Sequence, residues 1–120
     1  MFRMAKGSFS TELVRSSAEL ILLSVLTVRP MYGYEILVSL VDRGDGQFQF
    51  KQGTLYPLLY RLEREGWISA AWEVPEKGKK RKVYSLTKDG RAVQKARASE
   101  WLRFTKSVNS ILNECRHEQQ

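Results

Sequence analysis

Residues 51–82 read KQGTLYPLLYRLEREGWISAAWEVPEKGKKRK, and this stretch decides the fold. Its leucines recur at the spacing of one helix face, which predicts a helix over residues 53–65 that is seated by Leu55, Leu58, Leu59 and Leu62. Gly66 supplies a helix stop, and strands are predicted over 67–74 and 82–86, on either side of the polar turn PEKGKK. A helix beside a basic hairpin makes DNA binding the leading hypothesis.

Further elements are predicted on both sides of this stretch. A helix over residues 12–28, capped by Ser10 or Thr11, should end because of Pro30. A second helix covers residues 33–41, and its inner face should consist of Ile36, Leu37, Leu40 and Val41. A short strand is predicted over 47–50, and a last helix from 88 to beyond 112. This order is typical of a winged helix-turn-helix with an added helix.

The composition narrows the classes of function. A formal charge of +7 and a pI near 9.8 indicate an anionic partner, nucleic acid first and a membrane surface second. No apolar run is long enough to span a bilayer and no signal sequence is evident, so a cytoplasmic location and no membrane partner are expected. Cys115 is the only cysteine and His117 the only histidine. Without a catalytic or metal-binding constellation, we expect no enzyme activity, no metal and no cofactor.

The outer face of the third helix carries the residues that we expect to meet DNA. Helix-turn-helix proteins contact base edges near the N-terminus of this helix, where free N–H groups also attract phosphate. The candidates are Lys51, Gln52, Gly53, Thr54, Tyr56, Pro57 and Arg61. Pro57 is expected near the first turn, where proline costs little hydrogen bonding. The alternative for Tyr56 and Tyr60 is packing against neighbouring helices; we favour DNA for Tyr56 and packing for Tyr60.

Five cations occur within six residues at the tip of the hairpin, namely Lys77, Lys79, Lys80, Arg81 and Lys82. A solubilising edge that blocks aggregation is the alternative explanation, since lysines do protect edge strands. So dense a cluster exceeds that need, and we expect it to contact phosphates. Such contacts would position the protein without reading sequence.

The last helix carries an apolar seam. Trp101, Phe104, Val108 and Ile111 are spaced 3, 4 and 3 residues apart, which is typical of a coiled-coil-like contact. Trp101 fits the core of a dimer or one wall of a pocket for flat molecules, and the residues alone favour core. Trp67 is expected in the core, whereas Trp72 fits either the core or the border of a cavity between subunits.

YGYEI at 32–36, GTLYPLLYRLEREGWI at 53–68 and RKVYSLT at 81–87 resemble the PadR family of bacterial transcriptional regulators. The resemblance covers about residues 13–112. It implies a winged helix-turn-helix dimer, in most cases a repressor, that binds near-palindromic operators. It also implies that the last helix forms the dimer interface alongside the first, which adds Leu13 and Leu20 to the dimerisation residues.

ELVRSSAELILLSVL at 12–26 and EWLRFTKSVNSIL at 100–112 are similar to the small members that sense multidrug compounds. The similarity implies that a tryptophan on the last helix, here Trp101, stacks on flat ligands at the dimer interface. Candidate pocket residues are Trp101, Trp72 and Ser17, and the expected effector is a planar aromatic or phenolic compound. Thr105 stands where a carboxylate would meet a cationic ligand, a role that Glu19 or Glu100 would have to take.

The predicted fold class is mainly α with a small β-wing: a winged helix-turn-helix plus a C-terminal dimerisation helix. Residues 1–10 form a flexible basic arm, 11–87 the DNA-binding domain, 88–113 the dimerisation helix and 114–120 a polar tail. The leading hypothesis is a sequence-specific, ligand-responsive repressor that acts on double-stranded DNA as a homodimer. The alternative is a winged-helix protein-interaction module without direct DNA contact.

Overall fold

The computed structural model describes residues 9–44 and 52–119. Within these residues, four helices and three strands follow one another in the order α1 (Thr11–Val25), β1 (Met31–Tyr32), α2 (Gly33–Arg43), α3 (Gln52–Arg64), β2 (Ile68–Glu73), β3 (Arg81–Leu86) and α4 (Lys88–Gln119). The strands form an antiparallel sheet in the order β1-β3-β2. The predicted strand at 47–50 and most of the predicted N-terminal arm lie outside the described residues.

Helix α1 begins at its predicted cap but ends earlier than predicted. The N–H of Leu13 donates to Ser10 Oγ at 3.2 Å, which satisfies a free amide of the first turn. The helix stops at Val25, and tighter i→i+3 bonds follow, from Thr27 N–H to the Ser24 carbonyl and from Val28 N–H to the Val25 carbonyl. The Thr27 hydroxyl also donates to the Ser24 carbonyl at 2.6 Å. Local side-chain bonding therefore accompanies the end of the helix, several residues ahead of Pro30.

Strand β1 was not predicted from the sequence. Its Met31 lies opposite Tyr84 of β3, and its Tyr32 lies opposite Val83. A strand of two residues is too short for an alternating pattern, so it leaves no periodic signal. It nevertheless fixes the start of α2 beside the base of the wing.

Helix α2 has a well-satisfied N-terminus. Glu35 Oε1 accepts the N–H of Tyr32 at 3.2 Å, and Glu35 Oε2 accepts from Arg29 at 2.8 Å. Burial acts to raise the pKa of Glu35, but these two hydrogen bonds outweigh it and the pKa lies below its ordinary value. On the predicted inner face Ile36 and Leu40 are buried, while Val41 is exposed and was assigned wrongly.

The end of α3 is a Schellman motif centred on Gly66. The N–H of Trp67 donates to the Leu62 carbonyl and the N–H of Gly66 donates to the Glu63 carbonyl. Gly66 has φ of +79°, which glycine adopts at little cost. The predicted helix stop is thus confirmed. Pro57, however, is the sixth residue of α3 rather than part of its first turn, so the carbonyl of Gly53 loses its helical donor.

The core collects side chains from every element before α4. Its largest fully buried members are Leu22, Leu23, Leu26, Met31, Ile36, Leu55, Leu59, Leu62 and Ile68. Trp67 and Leu58 pack against this cluster while partly buried, so Trp67 has its predicted place at the core. Three of the four predicted seat residues of α3 are completely buried, and this fixes which face of α3 remains outside.

Helix α4 begins against the junction of α3 and the wing. Thr87 Oγ1 accepts the N–H of Gly90 at 3.0 Å and donates to the Gly66 carbonyl at 2.7 Å. A Cβ on Gly90 would overlap the Trp67 carbonyl, so only glycine allows this approach. The helix continues to Gln119, and most of the predicted polar tail is therefore helical, because residues 113–119 contain no glycine or proline to stop it.

Candidate nucleic-acid interface

The N-terminal half of α3 presents an exposed polar face. Gln52, Gly53, Thr54 and Pro57 are exposed, as the leucine pattern predicts. Tyr60, for which packing was favoured, is also exposed, and that prediction was wrong. Lys51 lies outside the described residues. The face that remains is small, polar and at the end of the helix where free N–H groups concentrate.

Tyr56 belongs to two surfaces. Its side chain is 44% exposed on the outer side of α3. Its hydroxyl reaches the start of α2, where a Cβ on Gly33 would overlap the phenol. The structure therefore places Tyr56 at the contact between α2 and α3, which is the packing alternative, with part of its ring still exposed.

Arg61 is held by a carboxylate of another helix. Its Nη2 donates to Glu19 Oε1 of α1, although the side chain is 57% exposed. It thus turns from the outer face of α3 towards α1. Arg61 was predicted to contact DNA, and with this side chain still largely exposed that contact stays a prediction.

The wing cations divide into two groups. Lys77, Lys79 and Lys80 are exposed around the tip, where Gly78 has φ of +109°. Of these, Lys80 lies over the Trp72 ring at 5.1 Å from the centroid. We call these three residues the tip lysines. All three lie on an exposed turn, which leaves them accessible to a phosphate.

Arg81 and Lys82 instead fasten the wing to the rest of the fold. The guanidinium of Arg81 lies 4.5 Å from the Tyr32 ring centroid and 3.4 Å from a carboxylate oxygen of Glu73. Its buried Nε has no hydrogen-bond partner among the described residues. Lys82 pairs with Glu63 of α3 at 3.3 Å. The prediction grouped all five cations, but these two form ion pairs with carboxylates of the same chain.

Trp72 stands apart from Trp101. It is 60% exposed on β2, beneath Lys80, so it is not a core residue. It lines none of the cavities that Trp101 lines. Within the described part of one chain, the structure does not bring these two tryptophans into one pocket. Ser17, by contrast, shares two cavities with Trp101.

A cleft of about 690 Å³ opens beside Trp101 between α1 and α4. The ring of Phe104 lies 6.2 Å from that of Trp101 at 44°, which forms a tilted aromatic pair. The polar lining comes chiefly from Arg15, Ser17, Glu19, Arg61, Arg97 and Glu100. Thr105 donates its hydroxyl to the carbonyl of Trp101, which engages that group within the helix.

Both oxygens of Glu19 are engaged. Oε1 accepts from Arg61 and Oε2 accepts from Arg97 of α4. We call Glu19, Arg61 and Arg97 the Glu19 cluster. The sequence suggested that Glu19 or Glu100 would have to meet a cationic ligand. Glu19 is not available for that role, because both of its oxygens already accept hydrogen bonds from arginines. Sequence spacing offered no signal for this cluster, because its pairs are 42 and 78 residues apart.

The apolar seam of α4 is largely uncovered in the single chain. Phe104 and Ile111 are exposed, Leu13 of α1 is exposed, and Leu20, Trp101 and Val108 are half-buried. Apolar side chains aligned along two neighbouring helices are typical of a protein–protein contact. Among the described residues, no helix is long and apolar enough to cross a membrane.

A family model for the transcriptional regulator PadR-like family matches residues 22–96, from the core of α1 through the first turns of α4. The chain belongs to this family. The match includes α3 and the wing, and PadR-like regulators bind DNA and typically dimerise. The predicted family and the winged-helix fold class are confirmed.

Individual proteins are similar to this one over most of the chain. An uncharacterized protein X of Lysinibacillus sphaericus is 33% identical over 102 residues, which is 85% of this chain and 94% of that one. A solved transcriptional regulator of Clostridium thermocellum has a TM-score of 0.76 at 31% identity, covering 83% of this chain and 97% of that one. A PadR family regulator of Eggerthella lenta has a TM-score of 0.75 at 34% identity, covering 84% and 86%.

Two features of this PadR-like chain were missed by sequence reasoning. Gly33 is needed because the Tyr56 hydroxyl occupies the space that a Cβ would take. A glycine at the start of a helix does not indicate in the sequence which distant residue packs against it. Arg97 lies 4.7 Å from the Trp67 ring centroid, and nothing in the spacing of these residues announces the contact. Both are tertiary contacts and become visible only when the helices are placed.

Proposed function

We propose that this PadR-like chain is a homodimeric, sequence-specific transcriptional repressor. The observation that carries the proposal is the exposed polar N-terminal face of α3, on a chain whose wing ends in the tip lysines. The N-terminal face of α3 would read base edges in a major groove, and the tip lysines would contact flanking phosphates. A protein that acts on genomic DNA would work in the cytoplasm.

Base readout rests on a few side chains. Gln52 and Thr54 offer hydrogen-bonding groups near the start of α3, and a glutamine amide matches the two groups that adenine presents. The exposed edge of Tyr56 offers apolar contact, while its hydroxyl stays with α2. Specificity would therefore depend on the first turns of α3 more than on Arg61, which is already paired.

Dimerisation would supply the second reading helix. The exposed seam of α4, together with Leu13 and Leu20 of α1, gives the apolar surface that a second copy would bury. A two-fold dimer would place its reading helices about one DNA turn, roughly 34–36 Å, apart, which implies a near-palindromic operator.

Selection of bound duplexes from a random pool by the purified chain tests the proposal. We expect an inverted repeat with half-sites about 10 base pairs apart. A protein-interaction module without DNA contact would recover no enriched sequence. Thr54→Ala should lose preference for the selected duplex, while its affinity for random DNA stays unchanged; equal loss on both would contradict base readout.

A second proposal concerns the effector. The cleft beside Trp101 is lined by an aromatic pair and by several charged groups, which suits a planar aromatic or phenolic ligand. Such a ligand would release DNA only under one condition. It must bind more tightly to the conformation that cannot hold the operator than to the conformation that can.

Calorimetric titration of the protein with planar aromatic and phenolic compounds tests the pocket. Trp101→Ala should abolish binding, because the stacking face is removed. Trp72→Ala is the matched control and should bind as the wild type does, since Trp72 lies outside this cleft. Equal binding by Trp101→Ala would leave Trp101 as dimer core only.

A further inference from the structure

The Glu19 cluster joins three helices through one carboxylate. Glu19 lies on α1, Arg61 on the helix proposed to read DNA and Arg97 on α4. Each guanidinium holds a different oxygen of Glu19. The Glu19 side chain is about one-quarter exposed, whereas those of Arg61 and Arg97 are 57% and 39% exposed, so the cluster lines a cleft that is open to solvent.

Arg97 is held from a second side. Its guanidinium lies over Trp67, whose N–H belongs to the Schellman motif at the end of α3. Arg97 thus touches the end of α3 through an aromatic ring and its middle through Glu19 and Arg61. Stacking on Trp67 restricts the position of the planar guanidinium of Arg97. It therefore also restricts the position of the Glu19 carboxylate that is paired with this guanidinium.

Backbone packing leaves the link between α3 and α4 to side chains. Helix α4 packs mainly on α1. Across the described residues, α3 has no comparable direct packing with α4. A change in the position of α4 therefore reaches α3 through the core against which Val93 packs, through the junction at Trp67 and through the Glu19 cluster.

We propose that Glu19 is a positioning residue that ties the reading helix α3 to α4. Without its carboxylate, the guanidinium groups of Arg61 and Arg97 face each other, with Arg15 lining the same cleft, and like charges repel. The inference rests on the proposed function, because it requires α3 to read DNA. Exposed ion pairs stabilise folding little, so the effect falls on the relative position of the helices.

The test follows α4 when α3 binds DNA. Cys115 is exposed and is the only cysteine, so a nitroxide label there reports the distance between the two α4 helices of a dimer. The labelled protein is measured free, saturated with the selected duplex and saturated with a random duplex. In the wild type the selected duplex should change the label distance, and the random duplex should not.

Glu19→Gln and Arg97→Gln should both abolish this change at saturating DNA. Both should also lower the ratio of random to selected dissociation constants by about tenfold or more, the size of one lost base-pair discrimination. One variant raises the net charge and the other lowers it, so a general charge effect on DNA affinity would act in opposite directions. Glu12→Gln, on the same helix, is the control and should behave as the wild type.

A folded Glu19→Gln whose label distance changes as in the wild type overturns the proposal, as does a wild type that binds the selected duplex without any change. If Glu19→Gln does not fold, Arg97→Gln decides alone, because it keeps the pair between Glu19 and Arg61. A wild type that selects no duplex refutes the proposed function, and the inference with it, before any label is attached.

Discussion

The tip lysines and the two cations beside them differ in what they contact, although all five lie within six residues. Lys79→Ala with Lys80→Ala should weaken binding to every DNA sequence alike. If each lysine contacts one phosphate, the slope of log affinity against log salt should fall by about 1.8. Lys95→Ala with Lys106→Ala removes two exposed cations of α4 and is the control. Gel shifts at several salt concentrations decide, and an unchanged slope in the wing variant would contradict phosphate contact.

Glu35 makes stability depend on pH in a defined direction. Because the pKa of Glu35 is lower in the folded chain, its ionised form stabilises the fold above the ordinary value of 4.5. That contribution disappears as the pH falls through the lower folded value. Glu35→Gln should therefore be less stable than the wild type at pH 7, by less than about 1 kcal/mol, because the glutamine carbonyl still accepts the Tyr32 N–H and only the contribution of the charge is lost. Urea denaturation should show this difference closing at acid pH; a constant difference would contradict it.

At the scale of an element, the start of α4 depends on Gly90. Gly90→Ala should destabilise the fold by at least about 2 kcal/mol, because its Cβ meets a backbone carbonyl that has no room to move. Gly53→Ala is the matched control within α3, since no atom lies within 4 Å of its added Cβ. It should be neutral or stabilising by up to about 1 kcal/mol, because alanine favours helices. Thermal or urea denaturation of both variants makes the comparison.

How far the elements were predictable depends on whether their causes are local. The leucine spacing of α3, the stop at Gly66 and the basic hairpin are local patterns, and the structure has them near the predicted positions. Strand β1 owes its existence to β3, more than fifty residues later, and the end of α1 follows a hydroxyl bond rather than Pro30. At the candidate site, exposure of the first turns of α3 followed from periodicity. The partners of Arg61 and Arg81 did not, because their carboxylate and aromatic neighbours come from other elements or the opposite strand.

At the scale of the whole molecule, a second copy is expected to cover the seam of α4. Val108→Asp with Ile111→Asp would place charges in that contact, and an unpaired buried charge costs several kcal/mol. Sedimentation should then show a monomer that keeps its helical circular dichroism. Asn109→Asp adds one charge beside the seam and should remain dimeric. A stable dimer of the double variant would contradict the proposed interface.

The close approach of Gly90 to Trp67 anchors α4 at its N-terminal end, so any tilt of this long helix turns about Gly90. The helix has 32 residues and is about 48 Å long, while Trp101 lies roughly 16 Å along it from Gly90. A tilt of about 5° would move the far end by about 4 Å and Trp101 by less than half as much. A small displacement of α4 at Trp101 therefore becomes a larger displacement at the C-terminal end of the helix. Near Gly90 the same tilt produces almost no displacement, and it acts instead as a torque on the base of the wing.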